Sequence, residues 1–210
     1  MSFNEFFKDL LIKADRYIRW PEHQTDPIKP TIYQEEISNS IDYYSKAVYI
    51  TPRQQGLSTL GPAYALYSAI TSPDRDVIFW SFNTYMMRNH IDTYSMFWRS
   101  LGNDSPLPVK YGTREHIVDF VAGGRDYYNF MGSKRRDTLL ILMDIGCNRS
   151  SVNSIYEVIY QTKARKIIGL TSEYHQENVF DMSRMGFNGF GINLLRYNDD
   201  SLNFCGRFNR

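Results

Sequence analysis

Apolar side chains recur three and four positions apart at the start of the chain, at Phe3, Phe6, Phe7, Leu10 and Leu11, with Glu5, Lys8, Asp9 and Lys13 between them. That period predicts an amphipathic helix over residues 3–19, and Ser2 with Glu5 makes a capping box for its first turn. Pro21, Pro27 and Pro30 predict a loop over residues 20–30, followed by a short helix over residues 31–44. The pattern then changes. Ala47, Val48, Tyr49 and Ile50 form an apolar run closed by Thr51 and Pro52, too short for a helix and suited to a buried strand. Residues 58–70 return to helical spacing, where Pro62 is tolerated because a first-turn N–H has no intrahelical acceptor. The alternation continues with a strand at 76–80 and a helix at 83–101. Residues 116–121 and 126–130 flank Ala122-Gly123-Gly124-Arg125 and read as a hairpin. A continuous apolar strand at 139–143 ends in Asp144, as a central parallel strand covered on both faces would. A helix at 151–162, a strand at 166–170 stopped by Thr171 and Ser172, and a last strand at 189–195 complete the series. Strands separated by helices predict an α/β fold with a mostly parallel sheet flanked by helices. The strands at 47–50, 76–80, 139–143 and 166–170 are expected to be neighbours in it.

With 210 residues the chain is long enough for one substantial core, which places an N-terminal helix and proline-rich linker at 1–30, the main domain at 31–195 and a polar tail at 196–210. Hydrophobic residues at 42% and charged residues at 22% exclude a disordered chain. The 24 basic and 23 acidic residues nearly cancel, so any nucleic-acid contact must come from a local patch. Lys134, Arg135 and Arg136 form the first such patch, with Lys163, Arg165 and Lys166 a second; either is a solvated face or a contact to a phosphate backbone. The paired aromatics Tyr43-Tyr44 and Tyr127-Tyr128 serve packing or stacking on bases. Cys147 and Cys205 share no ligand spacing, which argues against a disulfide framework or a zinc site and for a reducing compartment. No apolar run approaches the roughly 20 residues of a membrane span, and the first helix lacks the pattern of an export signal, so a cytoplasmic protein is expected. His23, His90, His116 and His175 accompany no GxSxG elbow and read as surface or core residues.

The chemistry-bearing segment is the strand, turn and helix start Ala47-Val48-Tyr49-Ile50-Thr51-Pro52-Arg53-Gln54-Gln55-Gly56-Leu57-Ser58-Thr59. A loop that binds phosphate needs this arrangement, because exposed N–H groups and the positive dipole end of a helix N-terminus face the anion. Against GxxxxGK[ST], Thr51 replaces the first glycine and Leu57 the lysine. Arg53-Gln54-Gln55-Gly56 nevertheless resembles the phosphate-binding loop of phage large terminases, the ATPase motors of DNA packaging. Tyr33-Gln34, preceded by Pro30-Thr31, resembles their upstream glutamine motif, and residues 139–144 resemble their Walker B strand. Leu170-Thr171-Ser172 resembles their coupling motif. The resemblance spans about residues 30–175 and rests on the order and spacing of these four motifs. It implies ATP and Mg²⁺ as cofactors. Gln34, Arg53, Gln54, Gln55, Gly56, Ser58 and Thr59 would meet the nucleotide, Asp144 the metal, and Thr171 and Ser172 would couple the site to motion.

The departures from the family bear on activity. Leu57 brings no positive charge to the phosphates, and Ile145 stands where the family has the glutamate that orients the attacking water. No catalytic residue is therefore expected at that position, although Lys46 or Arg53 could supply a cation and Glu157 or Glu173 a carboxylate. About forty residues follow Thr171, too few for the family's nuclease domain, and Asp199-Asp200 reads as a solvated turn. Three readings stay open: a non-hydrolysing terminase-like domain that binds phage or host proteins or double-stranded DNA; an unorthodox packaging ATPase; and an unrelated α/β binding module.

Overall fold

Short β-branched and aromatic runs alternate with helices because each parallel strand must return across the sheet before the next can pair. The computed structural model describes residues 1–15, 28–72, 74–81, 83–103, 118–122, 137–145, 152–172, 193–198 and 201–204. Its elements, in chain order, are α1 (Phe3–Ala14), α2 (Ile32–Ser40), β1 (Lys46–Thr51), α3 (Leu57–Thr71), β2 (Asp76–Ser81) and α4 (Thr84–Ser100). They continue with β3 (Val118–Ala122), β4 (Thr138–Met143), α5 (Val152–Thr162), β5 (Lys166–Ser172), β6 (Asn193–Asn198) and β7 (Ser201–Phe204). The sheet order is β3-β2-β4-β5-β1-β6-β7. Every pairing from β3 through β6 is parallel, and β7 lies antiparallel on β6. The α/β class and the four expected neighbouring strands are thus observed.

Two elements differ from the expectation. Residues 118–122 pair with β2 as a parallel strand, so the first arm of the expected hairpin is an edge strand of the main sheet; residues 123–130 lie outside the described part. The segment expected as a polar tail contains the end of β6 and all of β7. Its Asn-rich sequence hid the strand because an edge strand needs no continuous apolar run.

Strand alternation divides the interior into two layers. On one face, Ala47, Tyr49, Val77, Phe79, Leu139, Ile141, Met143, Ile168 and Leu170 share a core with α1, α3 and α4. On the other, Val48, Ile50, Ile78, Trp80, Leu140 and Leu142 pack with Ile145 and with Ile155, Val158 and Ile159 of α5. Strand β4 is buried along its whole length, which explains its unbroken hydrophobicity. Helix α3 approaches closely at Gly61, where a Cβ would stand 2.6 Å from Met143 Sδ and 3.4 Å from Phe79 Cε2. That close seat fixes the height of α3, and hence of its N-terminus, above β4.

Helix α1 is built into the first layer. Ser2 and Glu5 form the expected capping box, and hydrogen bonding to Ser2 lowers the Glu5 pKa below its usual value. Phe3 is fully buried and meets Phe7, Tyr64 and Tyr67 at ring-centroid distances of 5.8, 4.8 and 5.4 Å. Lys8 pairs with Glu35 and Asn4 bonds Ser38 and Asn39, tying α1 to α2. Phe3→Ala is therefore expected to lower unfolding free energy by about 3–5 kcal/mol, the usual cost of emptying a buried phenylalanine site. Urea denaturation followed by far-UV circular dichroism measures it; a loss within the surface range would mean that α1 is not part of the core.

Candidate phosphate-loop site

The site is assembled at the C-terminal edge of the parallel strands. Strand β5 pairs with both β1 and β4, with Thr51 opposite Ser172 and Met143 opposite Leu170. The loop that leaves β1 and the Asp144 that follows β4 therefore emerge at one edge, two strand spacings or about 10 Å apart. Ligands of open α/β sheets bind at this edge.

The loop turns through two left-handed residues, Gln54 at φ 64° and Gly56 at φ 75°, and Gly56 caps α3 without a side-chain cap. Thr59 N and Leu60 N donate back to Gly56 O, at 3.0 and 3.1 Å. The N–H groups of Leu57 and Ser58 have no acceptor among the described residues, as the first turn of a helix requires. Arg53, Gln54 and Ser58 are exposed, and Gln55 and Thr59 are half-buried. Leu57 packs against the α1/α3/α4 core. The chain therefore presents backbone donors and hydroxyls at the helix start, where a phosphate would fit, while the residue in the lysine position is spent on packing.

Gln34 does something its sequence position did not reveal. Thr31 caps α2, Gln34 N donates to Thr31 Oγ1 at 3.2 Å, and Thr31 N donates to Gln34 Oε1 at 2.9 Å. The rest of the pair then reaches into the loop: Gln34 Nε2 donates to Gly56 O at 2.8 Å and Thr31 Oγ1 to Gln55 O at 3.1 Å. Gln34 is buried, and a Cβ on Gly56 would stand 2.3 Å from its Nε2. The capping box of α2 is thus also a brace for the loop.

Asp144 has φ 55°, a left-handed conformation that aspartate tolerates better than most residues. Its N–H donates to Leu170 O at 2.8 Å, which anchors the turn to β5. Regular alternation along β4 would send Asp144 to the α5 face after Leu140 and Leu142. The left-handed step reverses this: Asp144 Oδ2 lies 3.6 Å from His90 Nε2 of α4, and Ile145 falls into the α5 layer. Ile145 is fully buried, with its Cδ1 3.1 Å from the position of a Cβ on Gly169. Ile145 therefore lies on the other side of the sheet from His90.

Two other candidate groups have the following places in the sheet. Lys46 opens β1 and so stands roughly 16 Å from the loop at the opposite edge, out of reach of a phosphate there. Thr171 and Ser172 both lie within β5, which extends two residues past the expected end. By alternation they project to opposite faces, with Ser172 on the face of α3 and the buried Thr171 on that of α5. Lys134, Arg135, Arg136 and Glu173 lie outside the described residues, and the side chain of Glu157 is likewise undescribed.

Sequence reasoning left His90 and Ser81 without a role. His90 belongs to the buried stripe Met87, His90, Tyr94, Phe97 of α4, and its ring meets Phe79 at 5.2 Å. Among the described residues neither ring nitrogen has a hydrogen-bond partner, and the buried Ser81 Oγ at the end of β2 has none either. The signal in the sequence was a polar ring at an apolar position of an amphipathic helix.

No family model and no curated protein matches the sequence. Among solved structures, the large terminase of bacteriophage HK97 superposes with a TM-score of 0.56 at 10% identity, covering 96% of this chain. The UvsW helicase from bacteriophage T4 gives 0.57 at 14% identity, covering 88%. The chain spans 45% of the terminase and 66% of the helicase. At these identities the likeness is one of fold: a parallel sheet flanked by helices. No helix among the described residues is long and apolar enough to cross a membrane.

The brace gives a ligand-free test. Gln34→Ala should destabilise the protein by about 1–2 kcal/mol through its lost hydrogen bonds. Gly56→Ala should cost about 1–3 kcal/mol through left-handed strain and collision with the amide. The double variant should lose less than the sum, because deleting Gln34 removes the collision. Urea denaturation of the four proteins measures the coupling, and strict additivity would show that the two residues do not meet.

Proposed function

We propose that this chain is a terminase-like ATPase-fold domain that keeps the phosphate loop but does not hydrolyse ATP at a motor's rate. It acts instead as a binding partner for phage or host proteins or for double-stranded DNA in packaging or replication. The observation that carries the reading is the fate of the residue after Asp144. A water-orienting carboxylate belongs there in the motors, and here Ile145 is sealed in the α5 layer. Leu57 supports it from the other side of the site, since the lysine position contributes packing and no charge.

The residues present do fit weak nucleotide binding. The Leu57 and Ser58 amides could donate hydrogen bonds to phosphate oxygens, with Ser58 and Asp144 holding Mg²⁺ between them. Phosphoryl transfer needs more than a cradle, because the transition state is stabilised by charges placed around it. Losing a single such donor can cost about 10²–10³ in rate, and losses at two positions compound without being additive. Arg53 is the loop cation that an unorthodox motor would use, being exposed one turn before the helix start.

Steady-state phosphate release is expected to stay at background with ATP and Mg²⁺, with or without double-stranded DNA. Calorimetric titration with a non-hydrolysable ATP analogue should show at most weak binding, abolished by Asp144→Ala when Mg²⁺ is required. Robust release that disappears in Asp144→Ala or Arg53→Ala would replace this reading with that of a working packaging ATPase.

A further inference from the structure

We infer that His90 and Asp144 form a binding site for a divalent transition-metal ion such as Co²⁺ or Zn²⁺, with Ser81 as an added oxygen donor. This goes beyond the proposed function, because the ion binds with or without nucleotide.

The first ground is the state of His90. It is 3% exposed, yet neither ring nitrogen has a hydrogen-bond partner among the described residues. Buried polar groups are nearly always satisfied, so an orphaned imidazole signals a missing ligand, water or ion. The second ground is distance. The 3.6 Å between His90 Nε2 and Asp144 Oδ2 is too long for a good hydrogen bond. Two donors each about 2.1 Å from one tetrahedral ion are about 3.4 Å apart, so the observed gap suits a shared metal. The corresponding separation around octahedral Mg²⁺ is about 2.9 Å, a poorer match.

The third ground is convergence. Ser81 projects to the same face of β2 as Phe79, the residue against which the His90 ring packs, and it pairs with Met143 beside Asp144. Its buried Oγ also has no hydrogen-bond partner among the described residues. Donor chemistry selects the ion: imidazole nitrogen suits Mn²⁺ least and Co²⁺ or Zn²⁺ better, whereas Mg²⁺ prefers oxygen. The Asp144 side chain is 21% exposed, so the carboxylate itself is open to solvent while the ring beside it is buried. The left-handed turn at Asp144 then has a purpose, since without it the carboxylate would face α5 and not His90.

The test uses the full chain, nucleotide-free, titrated with Co²⁺ and followed by visible absorption, with Mg²⁺ as competitor. The expected result is a single equivalent bound with the intense bands of a four- or five-coordinate ion, not displaced by equimolar Mg²⁺. Even outer partners of metal sites are worth about 10–100-fold in affinity, so losing a ligand in His90→Phe or Asp144→Asn should weaken binding by at least about tenfold. Ser81→Ala should weaken it less. Should His90→Phe fail to fold, Asp144→Asn and the paramagnetically shifted imidazole N–H signal of the Co²⁺ form decide the matter. An aquated Co²⁺ spectrum unchanged by the protein, unaltered affinity in the variants, or displacement by equimolar Mg²⁺ would each overturn the inference. Because no nucleotide is present, these outcomes are independent of whether ATP binds or turns over.

Discussion

The parallel pairing of β5 with β1 on one side and β4 on the other is the constraint on which the remaining structure rests. Parallel strands end at one edge by definition, so pairing brings the loop after Thr51, the turn at Asp144 and the end of β5 together. Thr51 and Asp144 are separated by more than ninety residues of sequence, and nothing local would unite them. The pairing is enforced from both faces. An all-buried β4 cannot slip by one residue without exchanging its layers, because Leu139, Ile141 and Met143 face α3 while Leu140 and Leu142 face α5.

On that frame, each functional feature is set by a small backbone departure. Gly56 is left-handed and closely approached by Gln34, so the loop is held by the capping box of α2. Gly61 lets α3 settle on Met143, which positions the helix start. Asp144 takes a left-handed turn that costs about 1 kcal/mol for a non-glycine residue. In return it is anchored to Leu170 and directed toward His90. Strain of this kind persists where the surrounding structure holds it in place, and it tends to gather at sites.

A second charged group sits at the other edge of the sheet and has a structural character. Lys166 lies 3.5 Å from Asp42 and 5.5 Å from the Tyr64 ring centroid, and Tyr64 donates to Asp42 at 2.9 Å. Burial lowers the Lys166 pKa while Asp42 raises it, and burial with the nearby Asp42 carboxylate pushes Tyr64 well above the usual phenol range. This network closes the bottom of β5 and explains why a lysine can open a buried strand. It also takes Lys166 out of the basic cluster that the sequence suggested as a DNA-contacting face.

Strand and helix identities were written in the sequence because apolar periodicity is a local property: β1, β2, β4 and β5 lie within a residue or two of where their apolar runs place them. The loop of residues 53–56 and the terminal Asp144 were legible for the same reason, as short motifs following a strand. Strand β3 was legible as a strand, but its parallel place beside β2 was not, because a local pattern does not name the partner strand. The roles of side chains at the site were not legible. Gln34 was visible as a polar residue upstream, yet its engagement of Gly56 depends on α2 lying beside the loop. Ile145 was visible as a substitution, yet its layer depends on a single dihedral at Asp144. His90 read only as a surface or core residue because the groups it faces come from β2 and the end of β4. Sequence by itself determined which segments would be strands, helices and turns, since those follow from spacing and propensity along the chain. Only the tertiary structure decided which residues meet at the edge of the sheet, because strand order and the handedness of one turn set contacts between residues far apart in sequence.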